Sequence, residues 1–261
     1  MRPIPAIILF AALTFAGCNG TEKNSNSNLN SNANANGNQA FKPPVPIKPV
    51  DVADPNFKAC NPYFPLVPGS IAKYVINYSS GIVGDLTVIV DAADENGRKV
   101  FRQRSQLVDR SGGMQISQSI VRTFGCDDER VQILSETTES NIAGQESKIE
   151  FSYRESSVMM VDPQSLSRKG TKWTHAFYQI IHKPGQPPSR SDTPVIIEFE
   201  VQGVESVTTP AGTFKAVKIQ RKVGENSAVD YYAPGLGLVR RQAKEGTITE
   251  LREYSGLKAL D

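Results

Sequence analysis

Between residues 71 and 255, apolar and polar side chains repeatedly alternate with a period of two. Tyr74, Ile76 and Tyr78 are interleaved with Lys73, Val75 and Asn77, and Leu86, Val88 and Val90 form the next apolar row. Further rows are Ile149, Phe151 and Tyr153, then Ile197, Phe199 and Val201, then Val217 and Ile219. Alternation at this period puts each row on one face of a strand. One face is buried and the other wet, which is the pattern of an antiparallel sheet. Asn96-Gly97 marks a two-residue hairpin turn, because both central residues need positive φ. Ser111-Gly112-Gly113 reads as another turn, whereas 173–181 fits either a short helix or a strand. Gly69-Ser70-Ile71-Ala72-Lys73-Tyr74 and Gly170-Thr171-Lys172-Trp173 echo each other and suggest one motif opening each half. A strand shifted by one residue would turn its whole apolar row to solvent, so the alternation also sets the register.

The beginning of the chain reads as an address. Arg2 precedes an apolar run from Ile4 to Leu13, broken by Pro5, which suits a secretory signal and is too short for a bilayer span. Ala16-Gly17-Cys18 resembles the lipobox of bacterial lipoproteins, which implies acylation of Cys18 and a mature chain beginning there. Phe15 stands where that pattern usually has Leu. Neither Asn19 nor Gly20 is the Asp that retains many such proteins at the inner membrane. The outer membrane is therefore the expected location, with its periplasmic or surface face left open. From 19 to 39 the chain is almost wholly Asn, Ser, Gly and Ala, too poor in apolar surface to offset its ordering entropy. Lys42 to Pro49 is proline-rich and reads as an extended lead-in. The expected organisation is a signal peptide over 1–17, a lipid-anchored tether over 18–56 and a β domain over 57–257.

Residues 51–261 carry 25 basic and 26 acidic side chains, so no broad positive field gathers phosphates and nucleic acid is a poor partner. With Cys18 assigned to lipid, Cys60 and Cys126 remain, and in an exported chain two remaining cysteines are most simply a disulfide. His175 and His182 lack any metal-site spacing and read as ordinary loop or surface residues. The run Asp91–Gly97 would place Ala92 and Gln103 at calcium-loop ligand positions that demand carboxylates, so it reads as a hairpin. Asp127-Asp128-Glu129 reads as a solvated turn beside Cys126. Ser70-Ile71-Ala72-Lys73 fits a Ser-x-x-Lys pattern, but its Ser opens a strand rather than a helix, and Ser-Asp-Asn is absent.

Three further segments go together: Asn61-Pro62-Tyr63-Phe64-Pro65-Leu66, Thr209-Pro210-Ala211-Gly212-Thr213-Phe214, and Tyr231-Tyr232-Ala233-Pro234-Gly235-Leu236-Gly237-Leu238-Val239. They resemble an uncharacterised TapB-like family of exported bacterial proteins, many of them lipoproteins, over residues 60–255. The aromatic following Gly69 is Tyr74, where that family commonly has Trp. The resemblance implies a curved antiparallel sheet similar to lipoprotein-carrier half-barrels, and it brings no catalytic residues. Each segment also has a plain architectural reading as a turn or a tight strand connection.

The expected fold is therefore all-β: a single curved antiparallel sheet or half-barrel of about 11–12 strands. The expected function is a cell-envelope lipoprotein, non-enzymatic, serving binding or envelope assembly. Its membrane contact would run through the lipid on Cys18, with a protein or an apolar ligand as partner and no metal or cofactor. Two alternatives belong to other classes: a carrier of a lipid-like ligand in the sheet's concavity, and a hydrolase whose residues spacing does not reveal.

Overall fold

The computed structural model describes residues 45–54, 56–81, 83–109, 116–142, 145–153, 157–182 and 185–260. The signal segment, Cys18, the tether up to residue 44 and the turn expected at 111–113 lie outside the described residues. The first half of the chain supplies β1 (Ile71–Asn77), β2 (Val83–Glu95), β3 (Arg98–Asp109), β4 (Ile116–Asp127), β5 (Arg130–Ile142) and β6 (Gln145–Tyr153). A short β7 (Val158–Met160) pairs with β5 and is followed by the single-turn helix α1 (Pro163–Leu166). The second half supplies β8 (Lys172–His182), β9 (Ser189–Arg190), β10 (Val195–Thr209), β11 (Gly212–Val223), β12 (Asn226–Ala233), β13 (Gly237–Ala243) and β14 (Ile248–Ser255).

The sheet closes on itself. β8 pairs with β6 along one side and with β10 along the other, and β14 pairs with β1, all antiparallel. With β7 and β9 off the ring, twelve strands form a closed antiparallel barrel. The expected single curved sheet or half-barrel is thus corrected. The stretch 173–181, ambiguous in sequence, is strand β8, and it is the element that joins the two halves. An open sheet this wide would leave two rows of unpaired backbone groups, and closure satisfies both.

The two halves repeat. At the start of β1, the Gly69 N–H donates to the Val90 carbonyl at 2.8 Å and the Val90 N–H donates to the Ser70 carbonyl at 3.2 Å. At the start of β8, the Gly170 N–H donates to the Val201 carbonyl at 2.8 Å and the Val201 N–H to the Thr171 carbonyl at 2.9 Å. Gly69 and Gly170 both have positive φ, 79° and 86°, a conformation L side chains rarely take. The correspondence extends inward: the β4–β5 pairing shifts register after Thr123 and the β12–β13 pairing after Tyr231.

One end of the barrel is stoppered by residues 57–66. Phe57 meets Phe101 edge-on at 6.1 Å and Phe64 meets Phe124 at 5.1 Å, while Leu66 is buried in the main core with Met160 and Leu166. Asn61, wholly buried, holds this segment in place. Its amide donates to the Glu129 and Val161 carbonyls at 2.7 and 2.9 Å, and its oxygen accepts from the Tyr63 and Phe64 N–H groups. A disulfide joins Cys60 to Cys126, with Cα atoms 6.3 Å apart. Before this stopper, residues 45–53 lie against β2 and β3. The Val50 N–H donates to Asp91 at 2.7 Å, the Ala92 N–H donates to Asp51 at 2.6 Å, and Arg104 donates to the Lys48 carbonyl at 2.8 Å.

Candidate functional site

The interior rows of the barrel are not uniformly apolar. In β4, Ile116, Gln118, Ile120, Arg122 and Phe124 share a face, and in β11 Val217, Ile219, Arg221 and Val223 do so. In β12, Ala228, Asp230 and Tyr232 form the corresponding row. Each charged residue here interrupts a row that otherwise drives burial; Arg122 and Asp230 stand opposite charged partners, whereas Arg221 stands between Phe199 and Ala228.

Arg122 stands directly across from Glu136 of β5, and its Nε and Nη2 donate to the carboxylate at 2.8 and 3.3 Å. The Tyr153 hydroxyl donates to the same carboxylate at 2.9 Å. In the other half the order is inverted. Asp230 of β12 stands across from Arg241 of β13, whose Nε and Nη2 donate to it at 2.7 and 2.8 Å. Both pairs sit immediately before the matching register shifts, so the repeated halves present ion pairs of opposite sense.

A third guanidinium joins them. Arg221 Nε is 3.5 Å from Asp230, and Arg221 Nε and Nη1 make no hydrogen bond among the described residues. Burial pushes the Arg221 guanidinium down to about 10, and Arg241 beside it adds repulsion. It therefore stays protonated at neutral pH. Burial works to raise the Asp230 carboxyl, yet Arg241 and Arg221 hold it below the ordinary carboxylate range. Tyr74 and Tyr232 are raised well above the usual phenol by burial and remain neutral donors. The cluster thus carries three guanidinium charges against two carboxylates.

Beside it lies a cavity of about 120 Å³ inside the barrel. Arg122 and Arg241 line it from opposite halves, with Gln103, Ser105, Tyr74 and Tyr232 as further polar wall. Leu86, Val88, Ile120, Phe124 and Leu238 supply the apolar wall, and Phe64 and Pro65 of the stopper also border it. A space of this size holds roughly one benzene-sized group.

The residues singled out in sequence go elsewhere. Cys60 and Cys126 close the stoppered end, and Cys18 lies outside the described residues. His175 is not a loop or surface residue. It is buried on β8 against Phe177, Phe199 and Tyr153, and burial pushes its imidazole down to about 4. His182 is also on β8, with Nε2 3.3 Å from Glu150. Asn96 and Gly97 take positive φ in the β2–β3 turn, and Asp128 and Glu129 do so in the β4–β5 turn. Ser70 ends up on the cavity wall at the mouth of β1. Among the described residues, no group of three or more His, Cys, Asp and Glu is placed to hold a metal ion. The interior arginines were missed, although a signal existed: Arg122, Arg221 and Asp230 each fall in phase with an apolar row.

The recurring segments meet at the stoppered end. The Gly235 N–H donates to the Pro62 carbonyl at 2.7 Å, and a Cβ on Gly237 would come 3.1 Å from Pro65. The Ala211 N–H donates to the Leu251 carbonyl, tying the β10–β11 turn down on β14.

Two solved structures are similar to this chain. One, from Bacteroides fragilis, is described as an exported protein with a YmcC-like fold; it is 16% identical and covers 75% of this chain and 100% of its own, with a TM-score of 0.48. The other, from Parabacteroides distasonis, is described as a lipoprotein; it is 16% identical and covers 76% of this chain and 100% of its own, with a TM-score of 0.43. No curated protein matches in sequence. The family match spans residues 81–249, from the start of β2 into β14, and so takes in all four strands that carry the interior ion pairs; the chain belongs to the DUF3108-like family.

Proposed function

We propose that this protein is exported, acylated at Cys18 and held at a membrane as a non-enzymatic binding module, with the closed barrel as its head. The lipobox-like Ala16-Gly17-Cys18 supports the anchor, and the narrower TapB-like resemblance rests on the segments that meet at the stoppered end. The observation that carries the reading is the Cys60–Cys126 bond, which spans 66 residues and ties the stopper to β4. Such cross-links persist in oxidising compartments outside the cytoplasm. The outer membrane, rather than the inner, follows from the absence of Asp at position 19.

Carriage of a long-chain lipid is disfavoured in the space beside the ion pairs, which at about 120 Å³ admits a small body but no long acyl chain. The test of the anchor is fractionation of cells that express the full chain or Cys18→Ala. The expected result is wild-type protein in the membrane fraction with the mass of a lipidated Cys18, and variant protein released from it. Equal membrane retention of the two would defeat the anchor.

A further inference from the structure

We propose that the barrel interior binds a small organic monoanion, a carboxylate carried on a short apolar body, between Arg122 and Arg241. The inference deepens the binding-module reading above and rests on it, by naming the class of ligand. It begins from charge. Three guanidiniums, Arg221 buried and Arg122 and Arg241 nearly so, face two carboxylates, so among the described residues one positive charge in the cluster is unmatched. A buried charge without a partner is costly, and a bound anion is the group that offsets it. Arg221 shows the deficit most directly, since it is buried, 3.5 Å from a carboxylate already held by Arg241, with Nε and Nη1 making no hydrogen bond among the described residues.

Geometry supplies the location. Arg122 and Arg241 border the same cavity, each held in orientation by its own carboxylate, so neither needs to reorganise to meet an anion. Tyr74, Tyr232, Ser105 and Gln103 add polar groups on that wall, while Leu86, Val88 and Leu238 offer nothing to a fully hydrated ion. A mixed lining of this kind fits an anion with an apolar side rather than a metal cation, which the positive excess repels. Size sets the upper limit: about 120 Å³ admits a benzene-sized body and not a long acyl chain. Phe64 and Pro65 of the stopper border the space, and the stopper is held by Asn61 and the disulfide.

The test is calorimetric titration of the purified full chain with benzoate, with its neutral counterpart benzamide and with inorganic phosphate. One saturable benzoate site is expected, with benzamide and phosphate at least roughly ten-fold weaker, because one lacks the charge and the other the apolar body. Arg221→Met removes the unmatched charge and leaves both ion pairs intact, so benzoate should bind at least roughly ten-fold more weakly. Ala72→Leu fills the cavity without altering any charge and should abolish binding, which keeps the test decisive if the arginine variant does not fold. Absence of benzoate binding to the folded chain would overturn the proposal. So would equal binding of benzamide, preference for phosphate, or benzoate affinity unchanged by Ala72→Leu. None of these outcomes bears on the Cys18 fractionation, so the ligand and the anchor fail separately.

Discussion

Arg122 and Arg241 reach one cavity from opposite halves of the barrel, and each stands directly across a strand pairing from the carboxylate that orients it. The two pairs are related by the internal repeat, with Arg122 corresponding to Asp230 and Glu136 to Arg241. Duplicated backbone geometry has thus been filled with inverted charge. Both guanidiniums border one cavity, and Arg221 leaves the cluster with a positive excess.

The two arginines beside Asp230 should respond differently to loss. Arg241→Met leaves Asp230 buried with Tyr232 and the longer Arg221 contact but without its forked partner, and breaking a buried pair costs about 3–5 kcal/mol. Arg221→Met leaves the forked Arg241–Asp230 pair intact and removes an unpaired buried charge, so stability should hold or rise. Urea unfolding of the two variants measures the difference; equal losses would show that Asp230 is shared evenly.

His175 should give the barrel an acid-sensitive component. Its folded-state pKa, about 4, lies below the ordinary histidine value, because burial disfavours the imidazolium. The unfolded chain therefore binds the proton more readily between about pH 6.5 and 4. The contribution is fully present above about pH 6.5 and is lost as pH falls through that window, by roughly 3 kcal/mol at most. His175→Phe should flatten this part of a stability–pH profile, and an unchanged slope would assign the acid response to other groups.

Removing the cross-link should loosen the stopper. Under the chain-entropy argument, a bond closing a loop of 66 residues contributes about 4 kcal/mol. Cys60→Ser with Cys126→Ser should lower stability by an amount of this order. Hydrogen exchange should rise first at residues 57–66, which would then be held by Asn61, the Gly235–Pro62 hydrogen bond and side-chain packing alone.

Asn61→Ala should be costly, although Asn61 itself does not line the cavity. It leaves the Glu129 and Val161 carbonyls without the amide that bonds them, and each orphaned buried group costs about 1–3 kcal/mol. Chemical denaturation gives the number. A loss below about 1 kcal/mol would mean that water replaces the amide readily.

The paired glycines offer a matched comparison. Gly170→Ala meets open space and carries only the cost of positive φ, roughly 1–2 kcal/mol. Gly69→Ala has the same φ problem, and its Cβ would also lie 2.3 Å from the Ala53 nitrogen, so residues 51–53 must shift. The Gly69 variant should be the less stable of the two, and proteolysis should become faster in the segment before residue 57.

What the sequence determined by itself was local. The period of two assigned the strands and their inward rows, since burial of one face dictates register: Tyr74 is paired with Leu86, and Val201 with Ile219, as the alternation requires. Asn96-Gly97 specified a hairpin because few other residues accept its φ values. The faint echo of Gly69 in Gly170 was also readable, because the same backbone turn demands the same residue. Closure was not readable. It depends on whether β8 finds partners along both edges, and β6, β8 and β10 reveal that only when the whole ring is assembled. The charge cluster was hidden for the same reason. Arg122 and Glu136, or Asp230 and Arg241, are neighbours across a ladder, but Arg122 and Arg241 meet at one cavity, with Arg221 behind Asp230, only once the ring is closed. An in-phase charge announces a buried partner; only tertiary structure decides which partner it is, and whether the charges balance.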